Sequence, residues 1–429
     1  MLFNSRIGVT LAVVLIFCVM PACDSNSPAG DETLVRSGLA REMNPEVPDE
    51  ELAAVASGNT RLALALLPLL GENPDTNVFF SPYSITQAFA LLAPGARGAT
   101  LSEIEQVLFF LPQDRLNPAL NKLDLLLAGK TDGAALEGGT ERPRLNNANA
   151  VWGQKGFAIL PEYLDTLAVN FDAGLHVVDF MARTEEARLT INDWVEEQTN
   201  DRIVDLIPEG GVTADTRLVL TNALWFKASW AEQFSAGSTS DGTFYNRNGA
   251  SSTVSFMRKT IDLPYARTAG CQAVDIPYAG NELSMLVVMP DAGSFDSFVS
   301  ALTPTVLTDI TNQLTTTTVA FSLPKFTFTL GSPLGEILRS LGMSAAFDAS
   351  ADFSGIDGAR DLVVQEVFHR AFIAVDEEGT EALAATAIGD GVTGMPVIEV
   401  TLSINQPFLF LIRDRETELV LFIGKVVTL

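Results

Sequence analysis

Histidine occurs only twice in the 429-residue chain, at His176 and His369. A Ser–His nucleophilic centre would have to draw its base from one of them. His369 lies inside Val364 to Val375, a strand-like run, where a hydrogen-bonded structural histidine is the better reading. The two are far apart in sequence, which argues against a His-rich metal site and leaves carboxylate sites open. There is no G-x-S-x-G elbow, no H-E-x-x-H, no Walker loop and no G-x-G-x-x-G after a strand. Gly389-Asp390-Gly391 is the nearest glycine cluster, but no helix start follows to aim amides at a phosphate, so it reads as an exposed loop. These residues point to no enzyme, no metal and no cofactor.

Cys23 suggests another chemistry. Arg6 is the only charge before Asp24, and Ile7 to Val19 is an apolar core of signal-peptide length, short of the roughly 20 residues of a spanning helix. Met20-Pro21-Ala22-Cys23 follows and is similar to a bacterial lipobox, in which the cysteine takes a diacylglyceryl thioether. An ordinary secretory signal cut near Ala22, or an uncleaved anchor, are the alternatives. Residues 1–22 thus read as a lipoprotein-type signal peptide, 23–48 as a polar tether and 49–429 as one domain. The expectation is an exported protein, held in the cell envelope by lipid on Cys23 or released outside. Cys18 lies in the signal core and Cys23 would be lipidated, so Cys271 alone remains and the mature domain forms no internal disulfide.

The segment Val375 to Pro396, VDEEGTEALAATAIGDGVTGMP, has a composition that fits several structures. Thr380 could cap a helix from Glu381 to Ala387, since alanine is the best helix former. Yet Ala382, Ala384 and Ala385 cannot cover a core, and glycines flank the run. Thr380, Ala382, Ala384 and Thr386 could instead enter a sheet at period two. A stretch able to be loop, helix or inserted strand is what a conformational switch requires.

The elements around it must position it. Hydrophobic residues make up 47% and charged residues 19%, enough for a sizeable core. Fifty-three acidic against 27 basic residues give a net charge of −26, which argues against a phosphate-neutralising nucleic-acid surface. Helical spacing covers Asp49 to Leu70, interrupted by Gly58-Asn59, then Thr86 to Leu92. A third helix, Leu101 to Phe110, is opened by Thr100 and Glu103 as a capping box. Glu185 to Ile203 is the clearest amphipathic helix, with Leu189, Ile191, Trp194, Val195 and Ile203 on its apolar face. Strands follow: Arg217 to Phe226, near-continuously apolar and so central, Leu283 to Met289, Val319 to Phe328, and a closing hairpin of Phe408 to Ile412 with Leu419 to Val427. Helices first and strands later, without βαβ alternation, indicate an α+β fold with antiparallel sheets.

These residues also carry a resemblance that spans about 350 residues in order. It runs through Asn77-Val-Phe-Phe-Ser-Pro-Tyr-Ser-Ile85, Gly95-Ala-Arg-Gly-Ala-Thr100 with Glu103-Ile104, and Leu220-Thr-Asn-Ala-Leu-Trp-Phe-Lys-Ala-Ser-Trp230. Leu323-Pro-Lys-Phe326, Leu341-Gly-Met343 with Ala346-Phe347, and Ala351-Asp-Phe-Ser-Gly355 follow. His369-Arg-Ala-Phe372, Glu377-Glu-Gly-Thr-Glu-Ala382 and Asn405-Gln-Pro-Phe408 complete it. In these motifs the sequence resembles the serpin family of serine protease inhibitors. The resemblance implies three mostly antiparallel sheets, eight or nine helices and an exposed reactive loop at about 377–400. It implies a monomer that traps a serine protease covalently, as a suicide substrate and not a catalyst, when the cleaved loop inserts into the large sheet. A non-inhibitory member acting as a binding protein is the alternative.

The resemblance assigns roles residue by residue. Gly379, Thr380, Glu381, Ala382, Ala384, Ala385 and Thr386 form the hinge, with Thr380 entering the sheet first. Leu383, larger than the family's usual residue, should face the other side of the sheet. Glu377 pairs with Lys325 over Trp230 at the mouth of the sheet. Ser81, Ser84, Asn222 and His369 form the polar cluster beneath its centre that gates strand separation. Counting fourteen residues on from Gly379 places the reactive bond at Thr393-Gly394, with Val392 and Met395 as alternatives. Thr or Val before the cut suits a small apolar specificity pocket of elastase-like enzymes, and Met a wider one.

Overall fold

The structure is a computed structural model that describes residues 32–71, 73–136, 139–380 and 397–429. A seven-stranded sheet runs in the order Thr33–Val35, Leu175–Val178, Arg144–Gln154, Leu218–Ser229, Gly379–Thr380, Val364–Val375, Phe326–Pro333. Leu218–Ser229 is buried without a break from Leu218 to Phe226, which is why its sequence is apolar on both faces. A second, nine-stranded sheet begins Val400–Ser403, Thr315–Pro324, Ser251–Thr268, Cys271–Pro277, and continues Leu283–Pro290, Phe408–Asp414, Val420–Val426, Val78–Phe80. Ser240–Tyr245 pairs to one side of Ser251–Thr268. That strand is 18 residues long and pairs with Ser240–Tyr245 and Thr315–Pro324 before turning its C-terminal end to Cys271–Pro277. The two smaller sheets expected are therefore hydrogen-bonded into one path through this strand. The α+β class and the family's architecture hold.

Ten α-helices occur among the described residues, and two of them, Gly335–Ser340 and Ser354–Asp357, are six residues or shorter. Pro82–Leu92 is buried along its whole length, packed against both sheets through Arg144–Gln154, Leu218–Ser229 and Val420–Val426. Ser81 caps it, its hydroxyl accepting from the Ser84 amide at 3.0 Å.

Several sequence expectations need correction. Asp49–Leu66 is one unbroken helix. Gly58 sits inside it because a Cβ there would lie 2.7 Å from the Phe109 carbonyl oxygen. The third helix runs Gly98–Leu108, so Thr100 is inside it and no capping box forms. Thr100 accepts from the Asp352 amide, and Glu103 accepts from the amides of Ser344 and Ala345, so both serve tertiary contacts instead. Thr184–Gln198 buries Ile191 and Val195 but leaves Leu189 45% exposed. Val319 to Phe328 is two strands in two sheets, Thr315–Pro324 and Phe326–Pro333, divided at Lys325.

Residues 32–48, the described part of the expected tether 23–48, lie along the body. Thr33–Val35 adds an antiparallel strand to the sheet edge at Leu175–Val178. Arg41 donates to Asn121 Oδ1 at 2.8 Å and to Asp124 Oδ2 at 2.7 Å, and the Glu42 amide donates to the Val169 carbonyl at 2.9 Å. The signal peptide and Cys23 lie outside the described residues.

Candidate functional site

The centre of the large sheet is a slit between two parallel strands. Val364–Val375 pairs directly with Leu218–Ser229 in parallel from Val364 opposite Leu218 to Phe372 opposite Trp225, with one irregularity between Val364 and Glu366. Beyond that point the strands part. The chain leaving Val375 turns back, the Asp376 amide donating to the Gly379 carbonyl at 3.0 Å. The Asp376 carboxylate secures this turn by accepting from the amides of Glu378 at 2.9 Å and Gly379 at 3.2 Å. Gly379 and Thr380 then pair antiparallel with Ser229 and Ala228, and Thr380 also pairs with Val375. A Cβ on Gly379 would lie 1.9 Å from the Ala228 carbonyl oxygen, so only glycine fits this approach.

The mouth of the slit is closed by aromatic and charged groups. Trp230 is fully buried. Its indole N–H donates to the Asp376 carbonyl at 2.9 Å, and its amide to the Glu378 carbonyl at 2.8 Å. Lys325 Nζ donates to Glu377 Oε2 at 2.6 Å, and Thr239 Oγ1 to Glu377 Oε1 at 2.7 Å. Burial raises the Glu377 carboxyl, but the hydrogen bonds from Lys325 and Thr239 outweigh it and hold the group below its ordinary range. Glu378 goes the other way: burial first, then the charges of Asp376 and Glu377, push its carboxyl up, and its Oε2 is buried without a hydrogen-bond partner.

Lower down, a polar cluster spans the slit. Asn222 and His369 are direct register partners on the two strands. The Ser81 amide donates to His369 Nε2 at 3.3 Å, which makes that nitrogen the acceptor. Nδ1–H therefore donates to Asn222 Oδ1. Asn222 Nδ2 donates to Asn149 Oδ1 at 3.1 Å, and the Ser84 hydroxyl reaches the same oxygen at 3.0 Å. Ser81 Oγ donates to the Leu421 carbonyl at 2.6 Å. Ser81, Ser84, Asn222 and His369 are buried and Asn149 is half-buried, and polar groups inside a core must be paired. Within this cluster the His369–Asn222 bond is the side-chain link from one slit strand to the other, added to their backbone pairing.

A family model described as Serpin (serine protease inhibitor) matches residues 57–429. The chain belongs to the serpin family. A serpin-like protein of Methanosarcina mazei is 32% identical over 98% of both chains. The leukocyte elastase inhibitor of Xenopus tropicalis is 36% identical, covering 86% of this chain and 98% of its own. Among solved structures, the thermophilic serpin tengpin in its native state superposes with a TM-score of 0.78 at 28% identity, covering 92% of this chain and 98% of its own.

In this serpin the structure brings Glu377, Lys325 and Trp230 together at the mouth, and Ser81, Ser84, Asn222 and His369 at the centre. It seats Gly379 and Thr380 between the strands. Glu381, Ala382, Leu383, Ala384, Ala385, Thr386 and the bond at Thr393-Gly394 lie outside the described residues. Sequence reasoning missed Asn149, Tyr278, Asp376 and Thr239. Asn149 had a signal, since the asparagines of 146–149 sit in a strand where that residue is disfavoured without a partner. Asp376 also had one, as an acid three residues before Gly379 that can close a turn. Thr239 and Tyr278 reach the site from distant loops and had none.

Proposed function

We propose that this serpin is a suicide-substrate inhibitor of serine proteases. The observation that supports this most is the seating of Gly379 and Thr380 between strands that remain directly paired below them. The protease serine Oγ attacks the Thr393 carbonyl and forms an ester. The amine of Gly394 departs as a new N-terminus, taking the proton that the serine gave up. The freed loop then continues inward from Thr380. One parallel ladder is replaced by two antiparallel ladders, which roughly doubles the hydrogen bonds along the slit, and antiparallel pairing is the more stable per residue. Thr380, Ala382, Ala384 and Thr386 are small enough to pass over the core beneath. The native fold cannot collect this stabilisation until the loop is cut.

Thr393 or Val392 before the cut favours elastase-like targets, a reading supported by the similarity to leukocyte elastase inhibitors, and Met395 would favour chymotrypsin-like ones. No Arg or Lys lies between Val375 and Leu411, which disfavours trypsin-like targets. We place the protein in the cell envelope as a monomer, anchored by lipid on Cys23. Incubation with pancreatic elastase, followed by a denaturing gel and intact mass, tests the mechanism. The expected product is a complex stable to denaturant, with a released peptide beginning at Gly394. A second reading, a non-inhibitory binding serpin, draws on the likeness to human thyroxine-binding globulin, at TM-score 0.78 and 27% identity, covering 88% of this chain and 99% of its own. Loop cleavage with neither complex nor any gain in stability would favour it.

A further inference from the structure

We infer that Tyr278 is a positioning residue for loop insertion, a latch whose hydroxyl holds Thr380 at the first rung of the slit. This rests on the inhibitory reading above. Tyr278 and Thr380 are both almost fully buried, and their hydroxyls are 2.8 Å apart. Among the described residues each is the other's side-chain hydrogen-bond partner. Tyr278 belongs to the second sheet, in the turn between Cys271–Pro277 and Leu283–Pro290, so it enters the slit from outside the large sheet. Its ring cannot swing away. It lies 4.8 Å from the Trp230 ring at 7°, in a stack, and 5.2 Å from Phe226 edge-on. Its amide donates to the Leu283 carbonyl at 3.0 Å, and the next amide, Ala279, donates to the Ser229 carbonyl at 2.8 Å. The hydroxyl is thus presented at a fixed point beside the last residues of Leu218–Ser229.

The consequence is directional. With Thr380 seated, both hydroxyls are satisfied. With Thr380 withdrawn, Thr380 finds water but the Tyr278 hydroxyl stays behind in an aromatic pocket without its partner, which is costly. The pair therefore draws the hinge inward. On the trapping mechanism the new strand continues from Thr380 in the register it already holds against Ala228 and Val375, so the latch need not be remade as the loop zips down. Insertion then begins from a turn already formed. Trapping is a race between insertion and hydrolysis of the acyl-enzyme, so a latch that starts insertion early raises the fraction of proteases trapped.

The test compares the wild-type protein with Tyr278→Phe, Thr380→Val, the double variant and Thr380→Ser, using pancreatic elastase as the probe. The expected result is that each apolar single variant raises the ratio of cleaved inhibitor to covalent complex about fivefold, the size of one lost hydrogen bond. The double variant should be no worse than either single one, because both remove one interaction. Thr380→Ser keeps the hydroxyl and should behave as wild type. The rate of loop attack should change less than twofold throughout, which separates positioning of the hinge from general damage. Additive losses in the double variant, or unchanged partition in both singles, would overturn the latch. Hydrogen exchange at the Gly379 and Thr380 amides supplies a readout without any protease. Tyr278→Phe should speed it several-fold, and unchanged exchange overturns the inference even if the wild type traps nothing. Faster exchange in Tyr278→Phe, together with a wild type that never traps, would retain the latch and count against the inhibitory reading alone.

Discussion

At the scale of single residues, the closed slit depends on a neutral imidazole. Burial pulls the pKa of His369 down to about 3, against an opposing contribution from its bond to Asn222. An unfolded histidine titrates near 6.5. Between those values the unfolded chain binds a proton that the folded chain refuses. Stability from this site is therefore complete above about pH 6.5 and falls as the pH drops toward 3, by up to about 1.4 kcal/mol per pH unit. Urea unfolding at pH 7.5, 6 and 5 should show the decline, and His369→Asn should flatten part of it. An identical pH slope in the variant would mean that other groups carry the effect. The hinge gives a second residue-scale prediction. Thr380 is 1% exposed, so Thr380→Arg would have to bury an unpaired charge to insert. That variant should be cut as fast as wild type yet form less than about a tenth of the complex, read on a denaturing gel. Gly379→Ala should keep the fold but unseat the turn, because its Cβ meets the Ala228 carbonyl. Limited proteolysis next to residue 379 would register the change, and an unaltered cleavage pattern would speak against it.

Elements show what could and could not be read in advance. Leu218–Ser229 was legible because a strand buried on both faces must be apolar throughout. Val319 to Phe328 alternates well enough to pass for one strand. Its division at Lys325, whose amide turns to the Ser255 carbonyl at 2.9 Å, is decided by partners elsewhere in the chain. The polar cluster was legible through its motif residues, whereas the place of Asn149 in it is set by its register opposite Asn222. The seating of Gly379 and Thr380 was not legible, since the slot is built from strands far away in sequence. Nor was the docking of Thr33–Val35, which is held by backbone pairing and side-chain hydrogen bonds and leaves Leu34 48% exposed. That segment ties the sheet edge to Gln113–Ala128 and Pro161–Phe171. Arg41→Ala removes its links to Asn121 and Asp124 and should cost about 1 kcal/mol, reduced by partial exposure. Faster hydrogen exchange at residues 33–35 would accompany the loss, whereas protection equal to wild type would show the strand to be held without Arg41.

The whole molecule carries a net charge of −26, which sets its long-range partners. Attraction to a cationic protease raises the encounter rate and is screened by salt. The association rate constant with a positively charged target should therefore fall as ionic strength rises, while the partition between trapping and cleavage stays fixed. A partition that moves with salt would place charge in the insertion step itself. The fold as a whole is a large sheet held open at one end by two residues of its own loop and closed across its centre by a parallel backbone ladder to which the histidine–asparagine bond adds a side-chain link. Cutting the loop should release it into that slit. The most direct measurement is a crystal structure of the protein after elastase cleavage. The trapping mechanism predicts a new strand continuing from Thr380, antiparallel to both Leu218–Ser229 and Val364–Val375, with Asn222 and His369 no longer register partners. A cleaved protein whose two strands remain directly paired, with Asn222 still opposite His369, would contradict it.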